Sequence, residues 1–69
     1  MLYGVYVKSG DENRKPQMRI RSSSDANFLF CKECEAVFLC ETDAFGYGVE
    51  QSRMRKIEFD RNIIDIDED

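Results

Sequence analysis

Histidine is absent from this chain of 69 residues. It is the side chain whose charge changes most readily near neutral pH, and it is the commonest general base in enzymes. Its absence excludes a Ser-His-Asp triad and every metal site that needs an imidazole ligand. The sequence therefore predicts a non-catalytic protein without a cofactor.

Long hydrophobic runs are also missing. No stretch approaches the about 18 apolar residues of a membrane-spanning helix, and the start of the chain lacks the basic and apolar segments of a signal peptide. The three cysteines are an odd number, whereas small secreted domains usually carry an even number that pair as disulfides. These features predict a cytoplasmic protein in a reducing compartment, with no membrane contact.

Glycine and proline are scarce, with four residues and one residue, while 35 % of the residues are charged. This composition is not that of a low-complexity chain, and 69 residues form one domain at most. We expect a single domain over 1–69, in which the acidic residues 65–69 are frayed.

The first half of the chain predicts a hairpin followed by a helix. Alternating apolar and polar residues predict two antiparallel strands, 2–8 and 17–22. The segment 22–25 (Ser-Ser-Ser-Asp) has the side chains that cap the start of a helix, and the apolar spacing after it predicts a helix over 25–40. Two short strands in place of this helix are the alternative.

The second half predicts a connection and two further strands. Residues 41–49 have the composition of a turn, and 52–60 alternate like a strand with a bulge at 55–56. A turn at 61–62 then leads into a short edge strand at 64–67. The predicted fold class is α+β: a small antiparallel sheet of three or four strands with one helix packed on it, in the order β-β-α-β-β.

The net charge of −4 is unevenly distributed along the chain. Residues 8–21 carry +3 and residues 25–50 carry −5, followed by +2 over 53–61 and −4 over 65–69. If the acidic tail neutralises the arginines, the acidic residues of the second segment are free to bind a basic partner. The partner contacts predicted on this basis are Glu33, Glu35, Glu41, Asp43 and Glu50.

Apolar side chains are expected to complete this surface. Three apolar residues are expected to be the most exposed: Phe28, Leu39 and Phe45. They are candidates to contact a partner or a second copy of the chain. Phe28 and Phe45 are the predicted anchors. Carboxylates spaced over a rigid surface can imitate the phosphates of nucleic acid.

The sequence therefore predicts a small acidic protein-binding module. We expect an inhibitor or modulator, of the type encoded by phages and plasmids, that occupies the basic surface of a nucleic-acid-binding protein or nuclease. Direct binding of nucleic acid is not expected, because the acidic residues would repel its phosphates.

A zinc-binding module is the first alternative. The segment 28–38, with Cys31-Lys32-Glu33-Cys34 at its centre, resembles the opening knuckle of a zinc finger or zinc ribbon. It departs from that pattern because no second ligand pair follows and Glu35 stands where a ribbon usually has glycine. A site built on Cys31, Cys34 and Cys40 would need a carboxylate as its fourth ligand, and structural zinc sites rarely use one.

A basic stripe is the second alternative. On the predicted strands Arg19, Arg21, Arg53 and Arg55 all point away from the core, so they would line the open face of the sheet. If the acidic tail does not neutralise them, these four arginines could bind an anionic partner.

Overall fold

Residues 1–65 form a four-stranded sheet with two helices. In the computed structural model, which describes residues 1–65, the elements in chain order are β1 (Leu2–Lys8), β2 (Gln17–Ser23), α1 (Ala26–Cys31), β3 (Ala36–Phe38), α2 (Glu41–Arg55) and β4 (Glu58–Asp65). The predicted α+β class is confirmed. The helix count is wrong, because two helices form where one is predicted. The tail predicted at 65–69 lies outside the described residues, apart from the backbone at its first position.

The order of strands in the sheet is β3-β1-β2-β4. The predicted hairpin of β1 and β2 is confirmed, and β3 also pairs antiparallel to β1. The expected all-antiparallel sheet is wrong, because β4 pairs parallel to β2. The cause is α2, which connects the β3 edge to the β4 edge and so returns the chain in the direction of β3.

The hydrophobic core lies between the sheet and α2. Val5 pairs with Ile20 across the hairpin, and both are fully buried together with Met18. Alternation along each strand sends these side chains to one face, where Ala44 of α2 covers them. This pattern is the one that the sequence predicts for the two strands.

The other face of the sheet is covered in part by α1. A Cβ on Gly4 would lie 2.6 Å from Cys34 Sγ and 3.3 Å from a methyl group of Leu29. Because Gly4 precedes Val5 in the strand, its side of the sheet is opposite to the core. The fully buried Leu29 therefore packs on the face that α2 does not cover.

The predicted helix over 25–40 is half right. It begins as expected, because the Asp25 carboxylate accepts a hydrogen bond of 2.9 Å from the N–H of Asn27. It ends at Cys31, and Glu33 then adopts a left-handed backbone with φ of 61°. The N–H of Glu35 donates to the carbonyl of Val5 at 2.6 Å, which starts the pairing of β3 with β1. Ladder hydrogen bonds with an existing strand thus outweigh the helical propensity of this stretch.

The strand predicted over 52–60 forms only at 58–60, where β4 begins. The turn predicted at 41–49 is wrong, because helix α2 covers this whole segment and continues to Arg55. Its first turn carries acidic residues and its last turn carries basic residues, which is the favourable arrangement for the helix dipole. The helix stops at Lys56, whose backbone is left-handed with φ of 55° and whose N–H bonds to the carbonyl of Ser52. The turn residues that predict a loop are therefore accommodated in the helix.

The irregularity expected at 55–56 lies further along the chain. Met18 pairs with Phe59 and Ile20 pairs with Ile63, so β4 uses four residues where β2 uses two. The turn predicted at 61–62 falls inside this bulged part of β4. The bulge is possible because β4 is an edge strand whose outer side has no partner to match among the described residues.

The two glycines of α2 should respond in opposite ways to alanine. A Cβ on Gly48 would lie 2.5 Å from the ring of Phe59, whereas a Cβ on Gly46 would have no atom of the described residues within 4 Å. Gly46→Ala should raise the free energy of unfolding by about 1 kcal/mol, because alanine is the better helix former. Gly48→Ala should lower it by about 1 to 3 kcal/mol through overpacking. Urea denaturation of the two variants measures both effects, and equal shifts would contradict the close approach at Gly48.

Candidate functional site

The solvent side of α2 is the surface on which the predicted contacts converge best. Since a helix turns by about 100° per residue, Asp43, Gly46, Glu50, Arg53 and Met54 share one side, and all five are exposed. The buried residues of the helix lie on the opposite side. We call these five residues the α2 outer face.

Two of the five predicted acidic contacts lie together on this face. Asp43 and Glu50 are seven residues apart, so their Cα atoms are separated by about 10.5 Å along the helix axis. Glu41 is also exposed, but it lies about 200° around the helix from Asp43. Within residues 1–65 none of these three carboxylates forms an ion pair.

Glu33 and Glu35 do not join this group. The Glu35 carboxylate accepts two hydrogen bonds from the Arg55 guanidinium, at 2.7 and 3.0 Å. These hydrogen bonds raise the pKa of Arg55. The ion pair compensates the negative charge of Glu35 within the chain. Glu33 is exposed in the loop after α1, without an ion pair in the part of the chain that the structure describes.

The apolar anchors differ from those predicted. Phe45 packs edge-on against Phe59, with ring centroids 5.9 Å apart, so it belongs to the core. Phe28 is half-buried, and the Lys32 ammonium lies 5.1 Å from the centre of its ring. Leu39 is 82 % exposed, as the sequence predicts.

Two exposed apolar residues escaped the sequence prediction. Met54 is 69 % exposed and Phe30 is 59 % exposed. Phe30 lies on the apolar stripe of the helix predicted over 25–40, and the alternation predicted over 52–60 points Met54 inward. Both predicted elements have other bounds in the structure. For Met54, the helical spacing from Asp43 and Glu50 would have been the signal, had 41–55 been read as a helix.

The predicted basic stripe does not form, because its members lie on different elements. Arg53 and Arg55 belong to α2, while Arg19 and Arg21 lie on the face of β2 opposite to the core. Arg19 Nε is 3.4 Å from an Asp60 carboxylate oxygen, so that charge is compensated within the chain. The acidic tail that is predicted to neutralise these arginines would do so through Asp65 and Asp67, whose side chains lie outside the described part.

Arg21 lies over Tyr6, and this contact leaves polar atoms buried without partners. The guanidinium carbon of Arg21 is 4.9 Å from the centre of the Tyr6 ring. Tyr6 is 8 % exposed, and its hydroxyl has no hydrogen-bond partner among residues 1–65. The same holds for the Nε of Arg21. This face therefore contains buried polar groups that cost stability rather than an accessible anion site.

Tyr6→Phe should stabilise the protein. Removing a buried hydroxyl that has no partner should raise the free energy of unfolding by about 1 kcal/mol, while the ring keeps its contact with Arg21. Tyr47→Phe is the control, because Tyr47 is half-buried against Phe38 and its hydroxyl is not among the orphaned atoms. Thermal and urea denaturation compare the two, and a destabilised Tyr6→Phe variant would show that the hydroxyl has a partner.

The three cysteines lie in different environments. Cys31 and Cys40 are exposed, while Cys34 is half-buried, and all three are free thiols. Within residues 1–65 no group of three or more cysteine, aspartate or glutamate side chains is positioned to hold a metal ion. Burial raises the pKa of Cys34, although the positive charge of Arg21 opposes this shift.

The pKa of Cys40 is lowered, whereas that of Cys34 is raised. It precedes the first turn of α2, and its Sγ lies 2.9 Å from the Thr42 hydroxyl. The hydrogen bond from that hydroxyl is the main cause that lowers the pKa of Cys40, and the N–H groups of Asp43 and Thr42 add to it.

Cys40 should therefore alkylate at lower pH than Cys34. Because the thiolate is the reactive form, the rate of reaction with iodoacetamide rises as pH passes the pKa of each thiol. Thr42→Val should move the Cys40 profile to higher pH, and Thr42→Ser should leave it in place because it keeps the hydroxyl. Mass spectrometry of each labelled site measures the profiles, and identical profiles for Cys34 and Cys40 would refute the assignment.

Comparison of the chain with protein-family models, with curated proteins and with solved structures finds no match. No helix within residues 1–65 is long and apolar enough to cross a membrane.

Proposed function

We propose that this chain is a non-catalytic protein-binding module that occupies the basic surface of a nucleic-acid-binding protein or nuclease and so inhibits or modulates it. The observation that carries the proposal is the pair Asp43 and Glu50, which share the exposed side of one helix and have no ion pair within residues 1–65. Two carboxylates at a constant spacing on a rigid helix can take the place of phosphates in a basic groove.

The rigidity of α2 supports this role. Ala44 is buried against the sheet, and Gly48 allows the Phe59 ring to approach the helix backbone. The two hydrogen bonds between Glu35 and Arg55 tie the last turn to the start of β3. A helix that is already ordered loses less entropy on binding, so more of the interaction energy appears as affinity.

Exposed apolar residues lie on both sides of the stretch from Asp43 to Glu50. Leu39 precedes the helix and Met54 lies in its last turn, and each is more than two-thirds exposed. Apolar anchors exclude water from neighbouring charged contacts, and this makes those contacts stronger. The α2 outer face with Leu39 therefore combines the two kinds of contact that a protein partner needs.

The two alternatives have less support. A zinc module would have to bring Cys31, Cys34 and Cys40 together, and within the described residues no such ligand group exists. An arginine stripe would need four arginines on one face, whereas two of them lie on α2 and Arg19 is paired with Asp60. Neither alternative has a specific observation in its favour.

Charge reversal on the outer face tests the proposal. The immobilised protein is mixed with the heparin-binding fraction of a lysate from the source organism, since this fraction is enriched in proteins with basic surfaces. The wild type should retain a specific protein, and duplex DNA should compete for it. Asp43→Lys/Glu50→Lys should reduce retention at least tenfold, and raising the salt should weaken it because exposed charges are screened.

The matched control is Asp11→Lys/Glu12→Lys in the loop between β1 and β2. Both residues are exposed, and this variant changes the net charge by the same amount as the reversal on α2. It should retain the partner. Equal loss in both double variants would mean that only net charge matters, and retention that DNA does not displace would refute the proposed mechanism.

A further inference from the structure

No contact among the described residues explains the glycine at position 46. Glycine in the interior of a helix costs about 1 kcal/mol relative to alanine. At Gly48 the cost is offset, because the Phe59 ring occupies the space of a side chain. At Gly46 a Cβ would touch nothing within 4 Å, and the position is exposed on the outer face. What Gly46 provides is a gap in the row of side chains on this face.

The gap lies between the two unpaired carboxylates. Asp43 is three residues before Gly46 and Glu50 is four residues after it, so one lies about a turn away on each side. Helices usually pack with axes 8–10 Å apart, and the distance depends on the side chains at the contact. A missing side chain at the centre lets a second helix approach closely, with its cations over Asp43 and Glu50.

We infer that the partner presents a basic α-helix, which crosses α2 at Gly46 and places cationic side chains against Asp43 and Glu50. This inference rests on the proposed function and names the element of the partner that the surface binds. Leu39 and Met54 would contact apolar residues near the two ends of that helix. Arg53, at the C-terminal end of the outer face, would favour an acidic or neutral residue opposite it.

A second copy of the chain suits this face less well. In an antiparallel pair of α2 helices, the register that brings Leu39 against Met54 of the second copy also brings Asp43 against Glu50 of that copy. Like charges in contact oppose association. A shifted register can pair Asp43 with Arg53 of the second copy, but it then places each Glu50 opposite Gly46. The two Glu50 Cα atoms are then only about 6 Å apart along the helix axis, so their like charges repel. The charges therefore favour a basic partner.

Zero-length cross-linking can show whether the partner segment is a helix or a strand. A carbodiimide joins carboxylates to lysine amines, and the proteins retained from the heparin-binding fraction are the probe. The distance of about 10.5 Å between Asp43 and Glu50 corresponds to seven residues of a helix or about three residues of a strand. We expect the partner lysines joined to Asp43 and to Glu50 to be six to eight residues apart. A separation of about three residues would overturn the inference.

Filling the gap is the second arm of the test. Gly46→Leu should reduce retention at least tenfold while the protein stays folded, because leucine is a better helix former than glycine and meets open space. Asn27→Leu is the control, since it adds the same side chain at an exposed position of α1 on the other side of the sheet. It should leave retention unchanged.

The outcomes separate the two proposals. If Asp43→Lys/Glu50→Lys abolishes retention and Gly46→Leu does not, the basic surface is correct and the helix crossing is wrong. If the charge reversal has no effect, or if the wild type retains nothing, both proposals are wrong. If the cross-links join two copies of this chain through Asp43 or Glu50, the occupant is a second copy and the inference is overturned.

Discussion

The contact of α2 with the sheet is the constraint on which the rest of the structure depends. Ala44 and Gly48 are the smallest residues of the buried side of the helix, and they allow it to lie close to Val5, Met18, Ile20 and the Phe59 ring. This packing carries the chain from one edge of the sheet to the other. It therefore decides that β4 is parallel to β2, and it decides which side of α2 faces solvent.

The placement of α2 also determines which charged side chains form ion pairs. Near the end of α2, Arg55 meets Glu35 beside β3, and across the sheet Arg19 meets Asp60 of β4. Both pairs join residues that are far apart in sequence. Asp43 and Glu50 remain without an ion pair within the described residues, so the α2 outer face keeps uncompensated acidic charge.

The local pattern of apolar and polar residues was enough to predict the elements of the first 31 residues. Apolar and polar residues alternate over both strands of the hairpin. This alternation points Met18 and Ile20 inward, and both are buried. The cap at Asp25 also depends only on neighbouring residues, since its carboxylate bonds to the N–H of Asn27 two positions away. Such contacts are short in sequence, and side-chain chemistry alone is enough to anticipate them.

The prediction of the candidate site was weaker, because it required the bounds of α2. A loop at 41–49 gives Asp43 and Glu50 no common face, and it predicts that Phe45 is exposed, whereas Phe45 packs on Phe59. Helix α2 contains two glycines, and residues 52–60 alternate like a strand. Propensity and periodicity thus both favoured the wrong elements, and packing against the sheet overrode them.

The sequence by itself determined the α+β class, the β1–β2 hairpin with its buried face, the start of α1 and the excess of acidic residues in the middle of the chain. Only the tertiary structure decided that 36–38 pairs as an edge strand, that 41–55 is a helix and that Glu35 and Arg55 neutralise each other. The physical reason is that these features depend on partners distant in the chain. A backbone segment that can hydrogen-bond to an existing strand, or bury small residues against an existing core, gains free energy that its own local sequence does not reveal.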